Sequence, residues 1–262
     1  MTPIIELTDI TTRLGGTLVH KGVNLKVKQG EVLGIVGGSG SGKTTILREM
    51  LALTKPESGS IRIFGQEITT ASQATLLQVQ RRWGVLFQEN ALFSSLTVLE
   101  NVSFPLHEHT SLDADSIQDL ALLKIIMAGL PVEAALKYPS ELSGGMQKRA
   151  GLARAIVLDP ELIFLDEPTA GLDPNTAAGF DDLILNLQST MGLTIVMVTH
   201  DLDTLWKVTN RVAFLGEGIV LAVDPMNKLV KNSNPLIQAF FSGPRGRVAQ
   251  ESYLQGSSDH GN

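Results

Sequence analysis

Short apolar runs alternate with amphipathic segments along this chain, a pattern typical of a sheet covered by helices. In the first third, alternating and apolar stretches predict four strands, at residues 4–10, 18–28, 31–36 and 60–64. A helix is predicted between the last two strands, where apolar residues recur at helical spacing over 44–51. The early strands favour a small, mostly antiparallel β layer that leads into a parallel α/β core.

The pattern changes after residues 66–70, which are predicted to form a polar loop, a helix over 73–82 and a short strand at 85–87. A helical insert is predicted over about 89–159, with helices at 98–102, 116–127 and 145–157 and loops at 105–110 and 138–142. Beyond the insert we expect strands at 161–167, 193–199, 211–215 and 218–223, and helices at 175–191, 225–230 and 235–241. One domain is therefore predicted over 1–241. The polar tail at 242–262 cannot bury enough apolar surface to fold alone, and is a candidate for contact with a partner chain.

Composition narrows the class of protein. Of 262 residues, 43% are hydrophobic and 18% charged, as in a globular chain with a core. The net charge of −6 argues against a broad nucleic-acid surface. Because there is no cysteine, disulfides, thiolate zinc sites and cysteine nucleophiles are excluded. We see no signal peptide and no apolar run near the roughly 20 residues that span a bilayer, so any membrane role is expected to come through a partner.

One glycine-rich stretch carries the strongest chemical signal, and it lies between a predicted strand and a predicted helix. It reads Gly37-Gly38-Ser39-Gly40-Ser41-Gly42-Lys43-Thr44-Thr45 and matches G-x-x-x-x-G-K-[ST], the phosphate-binding loop of P-loop NTPases. Glycines let the backbone curl so that successive N–H groups face one concave side. Lys43 can reach the β- and γ-phosphates, and the Thr44 hydroxyl can ligate Mg²⁺. We call residues 37–45 the phosphate loop, and expect the helix that follows to point its N-terminus at the phosphates.

Polar groups also follow other predicted strands: Gln88, the pair Asp166 and Glu167, and His200. Parallel α/β sheets bind ligands at the carboxyl ends of their strands, so these groups can converge on one nucleotide. Asp166 is placed to hold Mg²⁺, through a water. Glu167 is placed to orient and polarise an attacking water, which needs an acceptor aimed at it.

A second anion site is predicted at the start of the helix near residue 145. Ser143 can cap that helix, and Gly144 and Gly145 expose backbone N–H groups at its positive end. A single γ-phosphate does not need two such cradles from one chain. The sequence therefore predicts a two-fold dimer in which these three residues close the nucleotide site of the partner chain.

Together these motifs resemble those of ATP-binding subunits of ABC transporters, over nearly the whole chain from about residue 4 to 241. The matching motifs are the phosphate loop as Walker A, Gln88 as the Q-loop, residues 142–147 with Gln147 as the signature, residues 162–167 as Walker B, residues 171–173 with Asp173 as the D-loop, and His200 as the switch histidine. The resemblance implies the ABC ATPase fold: a P-loop NTPase (RecA-like) α/β core with an N-terminal antiparallel β layer and a helical insert.

The resemblance also implies a mechanism. ATP with Mg²⁺ would lie between two head-to-tail subunits of a homodimer, and its hydrolysis would drive a membrane permease. Glu167 would serve as the catalytic base and His200 would contact the γ-phosphate. Gln88 would couple the metal to the membrane subunit.

The adenine end of the site departs from the family. Members usually carry an aromatic residue near the end of the first strand, where it stacks on adenine. Here the corresponding stretch is Thr12-Arg13-Leu14-Gly15-Gly16. We expect Arg13 to stack through its guanidinium plane, or Leu14 to pack on the base, aided by a partner chain's tail with Tyr253. The other histidines are expected on the surface: His20, His107, His109 and His260.

Residues 105–110 and 140–146, together with the ending at 240–244 and its polar tail, resemble the ATPase of Mla/MCE phospholipid transporters of Gram-negative envelopes. That resemblance implies a place on the cytoplasmic face of the inner membrane beneath a permease. It also implies a periplasmic MCE-domain protein and a small STAS-domain protein as partners.

Two alternatives differ in the substrate or the class of protein. The general motifs, and the importer-like stretch at 87–102, fit an importer subunit for amino acids or another polar solute equally well. ABC proteins of DNA repair insert a long coiled coil, and no heptad run separates Thr44 from Ser143. ABC proteins of translation usually carry two cassettes in one chain, whereas this chain has one.

Overall fold

The computed structural model describes residues 3–242, and the chain divides into two compact units. Within the described range, the first unit joins residues 3–72 to 196–242, and the second spans residues 73–195. The boundary crosses one strand, Thr194–Val198. Apart from Ser242, the predicted tail lies outside the described residues, and the predicted domain limits stay a prediction.

Strands and helices alternate along the described chain. The strands are β1 Pro3–Leu14, β2 Thr17–Lys28, β3 Val32–Val36, β4 Ser58–Ile63, β5 Gln66–Glu67, β6 Trp83–Leu86, β7 Leu162–Asp166, β8 Thr194–Val198, β9 Arg211–Gly216 and β10 Ile219–Asp224. The helices are α1 Lys43–Met50, α2 Gln73–Gln80, α3 Val98–His109, α4 Ala114–Met127, α5 Gly144–Ala155, α6 Pro174–Met191, α7 Leu202–Val208, α8 Met226–Leu229 and α9 Pro235–Phe241. Two 3₁₀ turns, Val132–Leu136 and Pro139–Glu141, precede α5.

An antiparallel sheet in the first unit has the strand order β2-β1-β4-β5. In the register of β1 and β2, Leu7 lies opposite Leu25 and Ile10 opposite Val23, and all four side chains are buried. The sheet contains β5 where the sequence predicted a polar loop. Gly65, at φ 76°, makes the tight turn that folds these two residues back onto β4.

The phosphate loop follows β3, whose five residues are all buried. This strand pairs in parallel with β9, and β9 pairs antiparallel with β10. A continuous apolar run of this kind is expected where both faces of a strand are covered. The helices α7, α8 and α9 pack around Phe214 of β9 and form an apolar cluster with it. The sequence did not predict α7, which begins where the Asp201 side chain accepts the N–H groups of Asp203 and Thr204.

The second unit pairs β6 and β7 in parallel. Its helices α3, α4 and α5 enclose an apolar core that includes Val102, Ile125 and Ala153, each fully buried. Thr97 and Glu100 form a reciprocal capping box at the start of α3. The helical character predicted for this part of the chain is therefore present.

The loop predicted at 105–110 is wrong, because α3 continues through Pro105 to His109. A proline inside a helix removes one backbone hydrogen bond and typically costs about 3 kcal/mol. Here Val102 and Leu106, one turn apart, are both buried in the helical core. Their packing holds the helix together beyond the proline. Local signals at Pro105 could not show this tertiary effect.

Candidate nucleotide site

The structure places the predicted site residues in both units. The first unit holds Arg13, Leu14, the phosphate loop and His200. The second unit holds Gln88, Ser143, Gly144, Gly145, Gln147, Asp166, Glu167 and Asp173.

Steric constraints require glycine at two positions of the phosphate loop. A Cβ on Gly37 would lie 2.1 Å from the main-chain oxygen of Leu215, so no larger residue fits beside β9. Gly42 caps α1 with a left-handed backbone, at φ 97° and ψ 9°. A Cβ there would lie 2.5 Å from His20 Nε2. The curl of the loop is thus set by close packing as well as by backbone freedom.

The loop also has the chemistry of an anion site. Within residues 3–242, no side chain caps the N-terminus of α1, where backbone N–H groups favour a negative ligand. Lys43 Nζ donates to the carbonyls of Gly37 and Gly38, at 2.9 Å each, so the cation lies over the loop. In the same described range, the buried Ser41 hydroxyl has no hydrogen-bond partner. A Cβ on Gly40 would meet no atom within 4 Å. These features fit the phosphates of ATP.

A cavity of about 580 Å³ adjoins the phosphate loop within the first unit. Its size falls in the range of small-molecule pockets. The loop lines one side, and apolar residues that include Leu18, Val19 and Phe240 line much of the rest. Sequence reasoning did not select Leu18 and Val19, although they lie two and three residues after the stretch compared with the family's aromatic residue.

Arg13 and Leu14 do not line this cavity. Arg13 Nε lies 3.3 Å from Glu57 Oε2 in an exposed ion pair. The Leu14 side chain is 44% exposed. Stacking of Arg13 on adenine would compete with this ion pair, and the predicted role of both residues stays a prediction. Tyr253 lies outside the described residues.

His200 is exposed and directly follows the buried end of β8. Thr199 before it is fully buried, and its hydroxyl accepts the N–H of Asp201 at 3.1 Å. Asp201 in turn caps α7. His200 is thus held between two anchored residues.

The two predicted carboxylates end β7 in the second unit. Asp166 is the last residue of the strand and is 9% exposed. Glu167 has a left-handed backbone, at φ 48°, which is uncommon for any residue other than glycine. Its carbonyl accepts the N–H of Ala170 at 3.2 Å. Such backbone strain is typical of functional sites.

Sequence reasoning missed Lys148, a buried lysine on α5 that is 4% exposed. Its ammonium donates to the carbonyl of Gln88 and, at 3.4 Å, to the carbonyl of Glu167. Burial lowers the pKa of Lys148, while the charges of Glu89, Asp166 and Glu167 oppose that shift. Two signals could have found it. Lys148 directly follows the predicted signature at 142–147, and a lysine among the apolar positions of a helix is expected to have a partner.

A half-buried arginine supports the segment that follows Gln88. Arg154 of α5 donates to the carbonyls of Ala91, at 2.7 Å, and Asn90, at 2.8 Å. Asn90 and Ala91 both have left-handed backbones, at φ 60° and 52°. Burial lowers the pKa of Arg154. The segment from Gln88 to Ala91 is thus tied to α5 at two points, through Lys148 and Arg154.

The residues predicted to form the signature and the D-loop lie close together within the second unit. Ser143 caps α5, because its hydroxyl accepts the N–H of Met146 at 3.3 Å. Asp173 caps α6 by accepting from the backbone and the hydroxyl of Thr176, and these bonds lower the pKa of Asp173. A Cβ on Gly145 would lie 2.7 Å from Thr176 Cγ2, so the two helix starts are adjacent. The side-chain amide of Gln147 donates to the carbonyl of Pro139 at 3.0 Å.

The histidine prediction is wrong at one position. His20 is fully buried rather than on the surface, and it contacts the phosphate loop. A histidine on a β2 position that faces inward can satisfy both ring nitrogens within the core, which alternation alone does not reveal. His107 and His109 are exposed as predicted, and His260 lies outside the described residues.

Acidic and histidine side chains do not gather into a metal cluster of three or more within the part of the chain that the structure describes. A magnesium ion bound with ATP does not need such a cluster, because it keeps several waters and takes phosphate oxygens as ligands. The hydroxyl of Thr44 and the carboxylate of Asp166 are oxygen donors of the kind it prefers.

Comparisons with known proteins agree on the family. Residues 20–170 match the ABC transporter family. Three similar proteins are a probable ribonucleotide transport ATP-binding protein, mkl, of Mycobacterium tuberculosis; the intermembrane phospholipid transport system ATP-binding protein MlaF of Haemophilus influenzae; and the methionine import ATP-binding protein MetN of Brucella abortus. The mkl protein is 37% identical over 92% of this chain, MlaF is 38% identical over 92%, and MetN is 37% identical over 90%. The matched regions are 67% of mkl, 90% of MlaF and 64% of MetN.

Solved structures confirm the predicted fold class. The bacterial ABC transporter cassette MJ0796, determined as a dimer, is 33% identical, with a TM-score of 0.78 over 85% of this chain and 98% of that one. A second structure of that dimer shows a post-hydrolysis state bound to ADP and Pi.

Proposed function

Because this chain belongs to the ABC transporter family, as an ATP-binding subunit that hydrolyses ATP with Mg²⁺, we propose that it powers phospholipid transport across a cell envelope and so maintains the lipid asymmetry of the outer membrane. The likeness to MlaF of Haemophilus influenzae carries this proposal. It extends over 92% of this chain and 90% of MlaF, which is named for intermembrane phospholipid transport.

An importer for amino acids or another polar solute is the second candidate function. MetN, a methionine import protein, is 37% identical, against 38% for MlaF, so identity does not separate the two. The extent of the likeness differs, since it covers 64% of MetN and 90% of MlaF. Because the match covers a larger share of MlaF than of MetN, MlaF is the better guide to the function of this chain. The sequence at 108–110 and the polar tail also favour lipid, because they resemble the Mla/MCE subfamily.

The proposed assembly is a homodimer of this chain beneath a membrane permease, with a periplasmic MCE-domain protein and a small STAS-domain protein as further partners. The dimeric MJ0796 cassette supports the first part, and the likeness to MlaF supports the rest. In the described part of the chain, no helix is long and apolar enough to cross a membrane. We propose that the chain docks on the cytoplasmic face of the inner membrane through the permease.

The residue roles are proposed from the motifs and from the geometry within each unit. The phosphate loop binds the ATP phosphates, and Ser143, Gly144, Gly145, Gln147 and Asp173 approach the nucleotide of the partner chain. Glu167 orients the attacking water, His200 contacts the γ-phosphate, and Gln88 carries the signal to the permease. Thr44 and Gln88 would provide oxygen ligands for Mg²⁺, and Asp166 would hold the ion through a water; the ion would neutralise phosphate charge when bound.

A reconstituted complex tests the choice of substrate. The chain, its permease and the MCE-domain protein are placed in detergent, and ATPase rate is measured with added phospholipid or with methionine. We expect phospholipid to stimulate the ATPase rate of the wild type several-fold. The Glu167→Gln variant should show no such stimulation. Stimulation by methionine or another polar solute, with no response to phospholipid, would support the importer instead.

A further inference from the structure

His20 of β2 is a fully buried histidine that contacts the back of the phosphate loop. Its Nε2 lies 3.2 Å from the carbonyl oxygen of Gly42. Its Nδ1 lies 3.2 Å from Glu49 Oε2 on α1 and 3.3 Å from Thr12 Oγ1 on β1. The side chains of His20, Glu49 and Thr12 are all buried, so this polar cluster is sealed from solvent.

The positions of the hydrogens follow from the partners. The Gly42 carbonyl can only accept, so Nε2 must carry a hydrogen. The Thr12 hydroxyl gives its only hydrogen to Glu49 Oε1, and therefore offers Nδ1 lone pairs alone. On the other side of the ring, Nδ1 faces the Thr12 oxygen at 3.3 Å and Glu49 Oε2 at 3.2 Å. These two contacts orient the ring so that Nε2 is the donor to Gly42.

The Gly42 carbonyl also accepts the N–H of Ile46 at 2.9 Å, the first backbone bond of α1. Two donors therefore fix and polarise the peptide group between Gly42 and Lys43. The N–H of that trans peptide belongs to Lys43 and points opposite to the carbonyl, away from His20. Hydrogen bonds to a carbonyl strengthen the donor at the other end of the same amide.

His20 also joins two levels of the same helix. Gly42 precedes α1, and Glu49 lies seven residues later, two turns along its axis. One imidazole between them resists any rotation or shift of the helix start relative to β2. At the same time the ring occupies the space in which a Cβ at position 42 would lie.

We propose that His20 is a positioning residue for ATP binding: its Nε2–H, held in place by Glu49 and Thr12, fixes the Gly42–Lys43 peptide so that the phosphate loop is already shaped for the phosphates. This inference rests on the proposed role of the phosphate loop. Peptide dipoles that are already fixed in place bind the charged phosphates without having to reorganise. Loss of the His20 donor should therefore weaken ATP binding more than it weakens the folding of the first unit.

Four variants of the full chain test the proposal, through Mg²⁺–ATP affinity by calorimetry and Tm without nucleotide. His20→Leu removes the donor and leaves Glu49 buried without its imidazole partner, so we expect weaker ATP binding by about tenfold and a lower Tm. His20→Gln keeps an amide N–H near the Nε2 position and should retain affinity within about threefold. Lys43→Ala is the reference for the phosphate loop and should weaken ATP binding by more than His20→Leu.

The decisive variant is the triple change Thr12→Val, His20→Leu and Glu49→Leu, which replaces the whole cluster with apolar side chains. Such a replacement often restores stability, so Tm should recover while ATP affinity stays about tenfold weak. If His20→Leu alone does not fold, the triple variant still tests the proposal. Wild-type affinity in the folded triple variant would overturn the proposal and make the cluster purely structural. Wild-type affinity in Lys43→Ala would instead overturn the assignment of the phosphate loop, and with it the role of His20.

Discussion

Lys148 donates to the main-chain carbonyl of Glu167, with 3.4 Å between Nζ and the oxygen. The same ammonium donates to the carbonyl of Gln88. A single buried cation on α5 therefore holds the residue proposed as catalytic base and the residue proposed to report to the permease. Because Glu167 has a left-handed backbone, its carboxylate depends on such supports for its direction.

Lys148→Met should lower the ATPase kcat by about tenfold, since both carbonyls lose a charged donor worth roughly 1.5 kcal/mol or more. Methionine keeps most of the volume of the lysine stem, and removing a buried charge offsets the lost hydrogen bonds, so the unfolding midpoint should change little. ATP affinity should stay within a factor of about three. Steady-state kinetics with a parallel binding titration separates the two effects. A reduced affinity with unchanged kcat would place Lys148 in binding rather than in the support of Glu167.

The pH dependence of this support follows from its cause. Burial lowers the pKa of Lys148, so its ammonium loses a proton at lower pH than a solvated lysine does. Below the folded pKa the buried charge penalises the fold, and that penalty is relieved as pH rises toward the unfolded pKa. Activity should fall over the same window because a neutral amine is the weaker donor. Comparing kcat for the wild type and Lys148→Arg from about pH 7 to 10 checks this, since arginine stays charged. Identical alkaline limbs would show that another group limits the rate.

Glu167→Gln should abolish turnover while ATP still binds, because the amide cannot accept a proton from the attacking water. General base catalysis typically contributes about 10²–10⁴-fold, so the residual rate should be at or below roughly 1%. ATP should then hold two chains together in a stable dimer. Size-exclusion chromatography with and without ATP measures this directly, with Lys43→Ala as the control that should stay monomeric. Full turnover in Glu167→Gln would contradict the role given to this carboxylate.

Two glycines of the phosphate loop offer a matched pair for stability. Gly42→Ala places a methyl group 2.5 Å from His20 Nε2 in a left-handed backbone. Gly40→Ala has the same kind of backbone, at φ 74°, but faces open space. We expect backbone strain of about 1–3 kcal/mol in each variant and a further loss only in Gly42→Ala, where the core must shift. Equal Tm values for the two variants would show that the clash with His20 is relieved at no cost.

Adenine binding is tested by Arg13→Ala, and separately by a chain that ends before Gly243. If Arg13 or the tail holds the base, one of these changes should weaken ATP binding by about tenfold. Glu57→Gln is the matched control, since it frees Arg13 from the exposed ion pair without removing it. Unchanged affinity in both Arg13→Ala and the shortened chain would leave the cavity beside Leu18 and Val19 as the better site for the base.

Much of the fold follows from local pattern. The buried strands β3 and β7 contain continuous apolar runs, and the candidate site residues directly follow each run, as Gly37 after Val36 and Asp166 after Leu165. Such features are visible in sequence because burial on both faces of a strand requires apolar residues at every position.

Other features depended on contacts between distant residues. The helix through Pro105 is held by packing of Leu106 in the helical core. His20 and Glu49 lie 29 positions apart, and neither has a local signal for burial. Lys148 reaches Gln88, 60 positions away. Polar side chains that pair inside a core have the same composition as those on a surface, so their positions require the fold.

Purification of the native complex from membranes tests the central claim, that this ATPase powers phospholipid transport. The complex would be isolated through a tag on this chain, and its subunits and extractable lipid identified by mass spectrometry. We predict two copies of this chain, a permease, an MCE-domain protein and bound phospholipid. A complex that holds a solute-binding protein and a polar solute, with neither an MCE-domain protein nor phospholipid, would contradict the proposed function.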